Sequence, residues 1–394
     1  MKKELLLLSA LAFSVNVFAE DPLTAPKAED DGKGKFTFSG YIDSYYIANL
    51  NRPASRNNLG AALNARAFDQ RAGQFSLGLI QTKIGYSTTK SDVVVDLAFG
   101  PNADLGNYGN LIGPLGQGTS SLAIKQAYFN WKATDKLTFT AGQFGTHIGY
   151  EVIDAPVNYN YSLSNLFNNG PFYHIGAKGT YAFSDKASLM LGVVNNVDAL
   201  NDNNRNKGLI GQLFVSPATG WNVYLNGIVS NEANTDSLGN TPAGNYSLFD
   251  LTTTYQLTEK FFLGLNAAIG SQKGDYQGLT FTDKAKSWGG VALYTNYAVS
   301  SKFGLGARYE YFDNKGGARG LRNKFGDGTS VNSITFTGNI TAADGHLLLK
   351  PEIRVDTYAK PGTAAEGNLQ FQDSKGNFTK NSQTTVGMAF IYKF

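Results

Sequence analysis

The chain contains no cysteine. No disulfide framework can brace it, even in an oxidising compartment. Charged residues make up only 16% of it, against roughly 25% in a soluble globular domain. The net charge of +3 is too near neutral to point to nucleic acid. The histidines are His147, His174 and His346, scattered and without thiol partners, which argues against a transition-metal site. After the first twenty residues there is no apolar run near the ~20 residues that a membrane-spanning helix needs.

What is present points elsewhere. Glycine (45), phenylalanine (26) and tyrosine (21) are abundant, and 13% of the chain is aromatic. Two architectures fit an aromatic, glycine-rich chain with few charges. One is a set of soluble all-β domains; the other is an outer-membrane barrel built from alternating segments of about ten residues.

The N-terminus reads "MKKELLLLSALAFSVNVFAE". Lys2 and Lys3 precede an apolar run that ends in Val17-Phe18-Ala19. This is the pattern of a secretory signal peptide over 1–19, with cleavage before Glu20. Residues 20–35 are polar and hold two prolines, the pattern of a flexible periplasmic leader.

From Phe36 onward a two-residue period takes over. In "FTFSGYIDSYYIANL", Phe36, Phe38, Ile42 and Tyr46 share one face, while Tyr41, Asp43 and Tyr45 share the other. "DVVVDLAF", "KFGLGARYEYF", "NSITFTGNI" and "LLLKPEIRVDTY" follow the same rule. So does the closing "TVGMAFIYKF", where Val386, Met388, Phe390, Tyr392 and Phe394 form an apolar face.

Connections alternate in length. Short ones fall near 89–91, 134–136, 184–186, 217–219, 258–260, 300–302 and 343–345. Long ones fall near 51–72, 100–120, 149–171, 197–207, 231–244, 273–284, 313–330 and 359–379. A sandwich has no reason to place every long loop at one end; a transmembrane antiparallel up-and-down β-barrel does. The expected fold is all-β, one such barrel over 36–394 with about 16 strands (range about 14–18), short periplasmic turns and long extracellular loops. Phe129, Trp131, Tyr181, Phe183, Tyr255, Phe261, Tyr297 and Phe303 lie beside the short turns, where interfacial girdles belong.

Read this far, the chain resembles the OmpL-like family of β-barrel porins. The resemblance covers nearly all of 36–394 and rests on "SGYIDSYY" (39–46), "QAYFNWKATDKLTFTAGQFGTHIGYE" (126–151), "NYSLSNLFNNGPFYHIGAKGTYAFSDK" (160–186) and "KPEIRVD" (350–356). It implies a passive channel in the outer membrane of a Gram-negative cell, reached through the periplasm, with no catalytic residues and no cofactor. Kinship with such barrels also implies outer-membrane lipid as surroundings, recognition of Phe394 by the barrel-insertion machinery, and a possible homotrimer. It further suggests that the third long loop folds inward and narrows the pore. That loop carries Glu151, Asp154, Tyr159, Tyr161 and Phe167, and its "SLSNLF" suits one short helical turn. A loop that stays outside the lumen is the competing reading.

The inward parity collects the other candidates, the pore-lining charges. They are Asp43, Asp96, Lys132, Lys178, Asp250, Arg308, Glu310, Lys350, Glu352, Arg354 and Asp356. Placing a lysine or arginine against mid-bilayer lipid costs about 2–4 kcal/mol, which favours the inward side. With Lys393 added, six cations face six anions, a balance that predicts no strong charge preference. The ladder on two late strands, Arg308 to Asp356, serves either a transverse field that orients solutes or a wall-stiffening ion network. Tyr41, Tyr45, Tyr128 and Tyr224 form either a sugar-stacking track or plain wall filling. His147 reads as outward-facing near the extracellular end. "DNNRNKG" at 202–208 lacks full calcium-loop spacing.

The functional expectation is an outer-membrane porin for small hydrophilic solutes. Two other readings stand beside it: a non-conducting barrel whose loops bind a partner, and a barrel lipid hydrolase.

Overall fold

In the computed structural model the described residues are 34–106, 123–276, 279–362 and 367–394. The signal segment 1–19, nearly all of the leader 20–35, most of the second long loop and residues 363–366 lie outside them.

The strands follow the period-two pattern. They are β1 (Lys35–Asn49), β2 (Phe75–Ser87), β3 (Ser91–Phe99), β4 (Ala123–Lys132), β5 (Leu137–Gly145) and β6 (Tyr173–Ser184). Then come β7 (Ala187–Val194), β8 (Gly208–Ala218), β9 (Trp221–Asn231), β10 (Gly244–Gln256), β11 (Phe261–Tyr276) and β12 (Leu279–Ser300). The series ends with β13 (Phe303–Asp313), β14 (Ser330–Ala342), β15 (Leu347–Tyr358), a small hairpin of β16 (Phe371–Gln372) and β17 (Phe378–Lys380), and β18 (Ser382–Lys393). Two short helices sit in loops, α1 (Pro101–Leu105) and α2 (Asn165–Asn169).

Sixteen of these strands form one closed barrel in which each pairs antiparallel with its barrel neighbours. Closure joins β1 to β18, with Tyr41 opposite Lys393 and Tyr45 opposite Ala389. It continues to the terminal residue: the Gly40 amide donates to the Phe394 carbonyl and the Phe394 amide donates back to Gly40 (both 3.0 Å). A closed ladder satisfies every strand's backbone groups internally, as hydrocarbon requires.

The side chains sort as the alternation dictates. Phe36, Ile42, Leu225, Ile334, Phe336, Ile353, Val386 and Phe390 are exposed on the outer surface. Asp43, Asp96, Asp250, Arg308, Glu310, Arg354 and Asp356 are buried inside. Aromatics ring the short-turn end, where Trp131 stacks on Phe139 at 5.8 Å and Trp221 lies 5.9 Å from Tyr255.

One connection differs from the expectation. The predicted loop near 273–284 is largely strand: β11 runs to Tyr276, β12 begins at Leu279, and Tyr276 pairs with Leu279. Gly274 and Asp275 resemble turn residues, but Gly274 (φ 81°) sits at a bulge between Gln272 and Gly274. The register passes from Gln272–Lys286 to Gly274–Phe281, so Lys273 and residues 282–285 bulge out of register and the ladder then continues.

Candidate functional site: the lumen and its internal loop

The third long loop, 146–172, lies inside the barrel. Its backbone leaves the β5 end and returns at β6, so in the lumen its amides and carbonyls have no ladder of their own. Buried backbone groups must be paired, and the wall charges pair them.

The matching follows chemistry. Wall acids accept from loop N–H groups. Glu352 accepts from the Tyr161 amide (2.7 Å) and the Ser162 amide (3.1 Å). Glu310 accepts from the Asn165 and Leu166 amides (2.9 and 2.8 Å). Those amides open helix α2, where first-turn donors have no intrahelical acceptor. Ser164 caps the same turn by accepting from the Phe167 amide (3.0 Å).

Wall bases donate to loop carbonyls. Lys350 donates to Ala155 O (2.8 Å) and to Asn158 O. Arg354 donates to Leu163 O (2.7 Å), and Arg308 to Ser162 O (2.6 Å). The ladder expected to line an open pore, or to brace the wall against itself, thus holds the loop's backbone, apart from the Arg354–Asp356 pair at 2.7 Å.

The loop's own acids reach opposite walls. Glu151 pairs with Arg308 on β13 at 2.5 Å. Asp154 pairs with Lys125 on β4 at 2.5 Å and accepts from the Tyr41 hydroxyl of β1 (3.0 Å). The Tyr161 hydroxyl donates to Asp43 on β1 (3.0 Å), and the Gly149 amide to Asp250 on β10 (3.2 Å). Tyr150 stacks on Tyr294 of β12 at 3.9 Å, and Tyr159 lies 5.3 Å from Phe262 of β11. Phe167 packs 6.1 Å from Phe68 of the first loop.

Every candidate can now be placed. Glu151, Asp154, Tyr159, Tyr161 and Phe167 all lie on the loop inside the barrel. Asp43, Asp96, Asp250, Arg308, Glu310, Lys350, Glu352, Arg354 and Asp356 face it or each other. Lys132 stands apart beside a short turn, 3.3 Å from Asp92. Lys178 lies against the Phe144 ring, 4.4 Å from its centroid.

One expectation needs correction, and one of two open readings is narrowed. His147 does not face outward: it is buried in the lumen, where its Nε2 donates to Gly227 O (3.1 Å). It belongs to the loop, so strand parity does not apply to it. The tyrosine track is interrupted, because Tyr41 is bonded to Asp154 and Tyr45 lies 5.7 Å from Tyr161.

Parity also missed two groups. Lys125 falls on the lipid-facing parity of β4, yet it is buried inside, paired with Asp96 (3.1 Å) and Asp154. The ladder steps from Asp96–Gln126 to Leu97–Ile124, so Lys125 is the extra residue of a bulge, which turns it inward. Its sign was a cation out of place on an apolar face. The first loop, 50–74, supplies Arg66, which pairs with Asp69 and with Asp356 (2.9 Å) above the third loop. No periodic signal marks a loop arginine.

At the extracellular end of the third loop, Asp198 of the fourth loop accepts from the Phe172 and Tyr173 amides (2.6 and 3.0 Å). Burial pushes its carboxyl up to about 7, and the two amides oppose that rise.

No curated relative matches the chain by sequence. Solved structures match its fold over nearly the whole length. The outer membrane channel DcaP of Acinetobacter baumannii is 11% identical, with TM-score 0.56 over 93% of this chain and 99% of that one. An anion-selective porin from Comamonas acidovorans is 11% identical, with TM-score 0.55 over 92% and 100%. The trimer form of OmpT from Vibrio cholerae is 12% identical, with TM-score 0.55 over 92% and 100%. The model of the OmpL-like beta-barrel porin-2 family matches residues 35–394. The chain is therefore an outer-membrane β-barrel that belongs to the OmpL-like beta-barrel porin-2 family.

Proposed function

We propose that this barrel is a passive diffusion channel for small hydrophilic solutes, with its aperture set by loop 146–172. The observation that carries the reading is the polarity match between wall and loop. Acids on β13 and β15 hold loop amides, and bases on the same strands hold loop carbonyls. A wall that only needed stiffening would pair its charges with one another. Sixteen strands enclose a lumen wide enough for water, and a charged interior loop then defines what passes. DcaP, named as a channel, and the Comamonas protein, named as a porin, share the architecture.

In this reading residues 1–19 direct export, Phe394 engages the insertion machinery, and the barrel assembles as a trimer, as one OmpT form does. A second reading has its own support. Wall residues at loop height, including Thr252, Tyr294, Ser333 and Thr335, are buried, which suits a barrel that is closed at rest and whose outer loops bind a partner.

Planar-bilayer recording separates the two. The channel reading expects steady unitary steps from the purified protein and larger steps after deletion of 155–168. A silent wild-type barrel, or unchanged steps in the deletion, refutes it.

A further inference from the structure

Among the described residues, Arg66, Lys125, Lys132, Arg308, Lys350 and Arg354 have oxygen partners inside the barrel. Lys178 on β6 differs. Its ammonium rests over the Phe144 ring, and no carboxylate or carbonyl among the described residues is bonded to it. An aromatic face is a weak partner for an ammonium, which keeps all three N–H donors available.

A second polar side chain lies against the same ring. His174 is fully buried, 6.4 Å from Phe144 between centroids. Its Nε2 is 3.0 Å from the Thr146 hydroxyl, which already accepts from the Ile148 amide (3.2 Å). The pair forms in either direction, and when the hydroxyl donates to Nε2 the histidine's own proton sits on Nδ1. That Nδ1 is buried without a partner. A buried polar nitrogen left unpaired is costly, and here it sits near a cation that lacks an anion among the described residues. Thr140, Met190, Gln212 and Asn226 face the same part of the lumen and carry no charge. Asp250, on β10, is held by Asn226 (2.7 Å), Asn266, Thr252 and the Gly149 amide.

The extracellular side offers matching charge. The first, seventh (314–329) and eighth (359–381) loops interlock through Ala61 N to Gln370 O (2.8 Å) and Gln370 to Arg322 O (3.2 Å). Arg52, Arg56, Arg71, Lys324, Lys375 and Lys380 are exposed on them, and Asp327 is the exposed acid among their described residues. Such a surface raises the local concentration of anions in a salt-dependent way.

We propose that Lys178 and His174, the latter in the tautomer that carries its proton on Nδ1, form a binding site for small organic carboxylates that enter past this basic cap. The transport role of the site rests on the channel reading; its occupancy does not. Each carboxylate oxygen accepts from one of the two donors, and the surrounding uncharged wall leaves the ligand's charge to Lys178.

Two measurements on the full chain test this. The first is acetate binding to the detergent-solubilised barrel by calorimetry, with acetamide as the neutral control. Acetate is expected to bind and acetamide not. Lys178→Gln weakens acetate by about tenfold, the scale of one charge-assisted hydrogen bond, while Lys178→Arg retains it. The second is the reversal potential under a KCl gradient, expected to be anion-selective and to fall toward neutral in Lys178→Gln. Lys178-dependent acetate binding by a barrel that does not conduct keeps the site and overturns the channel. Equal affinity for acetate and acetamide, or no change in Lys178→Gln, overturns the site. A conducting, cation-selective barrel overturns it too and leaves the channel standing.

Discussion

Glu151→Gln probes the seating of the internal loop most sharply. In the wild type, one Glu151 oxygen meets Arg308 at 2.5 Å and the other accepts from the Ser164 amide (2.7 Å). Both charged partners are buried. Glutamine keeps the shape but leaves the Arg308 charge to Ser162 O and to the Thr335 hydroxyl (3.3 Å). Removing one partner of a buried pair costs about 3–5 kcal/mol. Glu310, on the same strand, tempers the loss, so the lower end applies. At about 3 kcal/mol, the ratio of released to seated loop rises roughly a hundredfold. Single-channel recording should show, above the steady wild-type steps, larger loop-released steps that are rare in wild type and frequent in the variant. Glu151→Leu with Arg308→Met removes both charges, and that double variant should return most of the way to the wild-type pattern. The reasoning fails if Glu151→Gln lowers the barrel's thermal stability by this amount while its current trace stays that of wild type. The pair would then brace the protein without governing the aperture.

Gly264→Val tests the seating of the same loop from β11, two strands along the wall from β13. A Cβ there meets the Tyr150 ring at 2.7 Å, and that ring is stacked on Tyr294, so valine should unseat it at a cost of about 1–3 kcal/mol and raise conductance. Unchanged conductance with a folded barrel would count against the placement of Tyr150. Asp198, raised by burial to about 7, contributes stability that is complete below about pH 4 and lost as pH rises through 7. Amide exchange at Phe172 and Tyr173, corrected for intrinsic rates, should be slower near about pH 5 than near about pH 8, and Asp198→Asn should flatten the difference. A slope that persists in Asp198→Asn would assign it to another group. Removing Phe394 deletes the Gly40 pairing and the contact with Phe38 (5.9 Å between centroids), so the yield of assembled barrel should fall. An undiminished yield would show that the barrel closes without it.

The barrel was legible because a two-residue period records which side of the wall each residue faces, and lipid punishes errors. All seven short turns fall where the lysine-bearing turn segments and small polar clusters place them. The charged ladder was legible on the same grounds, since Arg308, Glu310, Lys350 and Arg354 share the inward parity. Its partner was not. Nothing in "NYSLSNLF" shows that its backbone will meet Glu352 and Glu310, because that pairing joins segments more than a hundred residues apart. Irregularities hid the rest. The bulge at Lys125 reverses parity for one residue, and the bulge at Gly274 disguises strand as loop. Arg66 lies in a loop, where no period operates.

The central claim is that loop 146–172 sits against the β14 wall and sets the aperture from there. Asn160 on the loop donates to the Thr337 hydroxyl of β14 (2.8 Å). With no native thiol to compete, Asn160→Cys with Thr337→Cys can be bridged by a short reducible bis-thiol reagent during recording. Bridging should abolish loop-release events, and reductant should bring them back. A pair that cannot be bridged in the folded barrel, or a current indifferent to bridging, would contradict the seated loop.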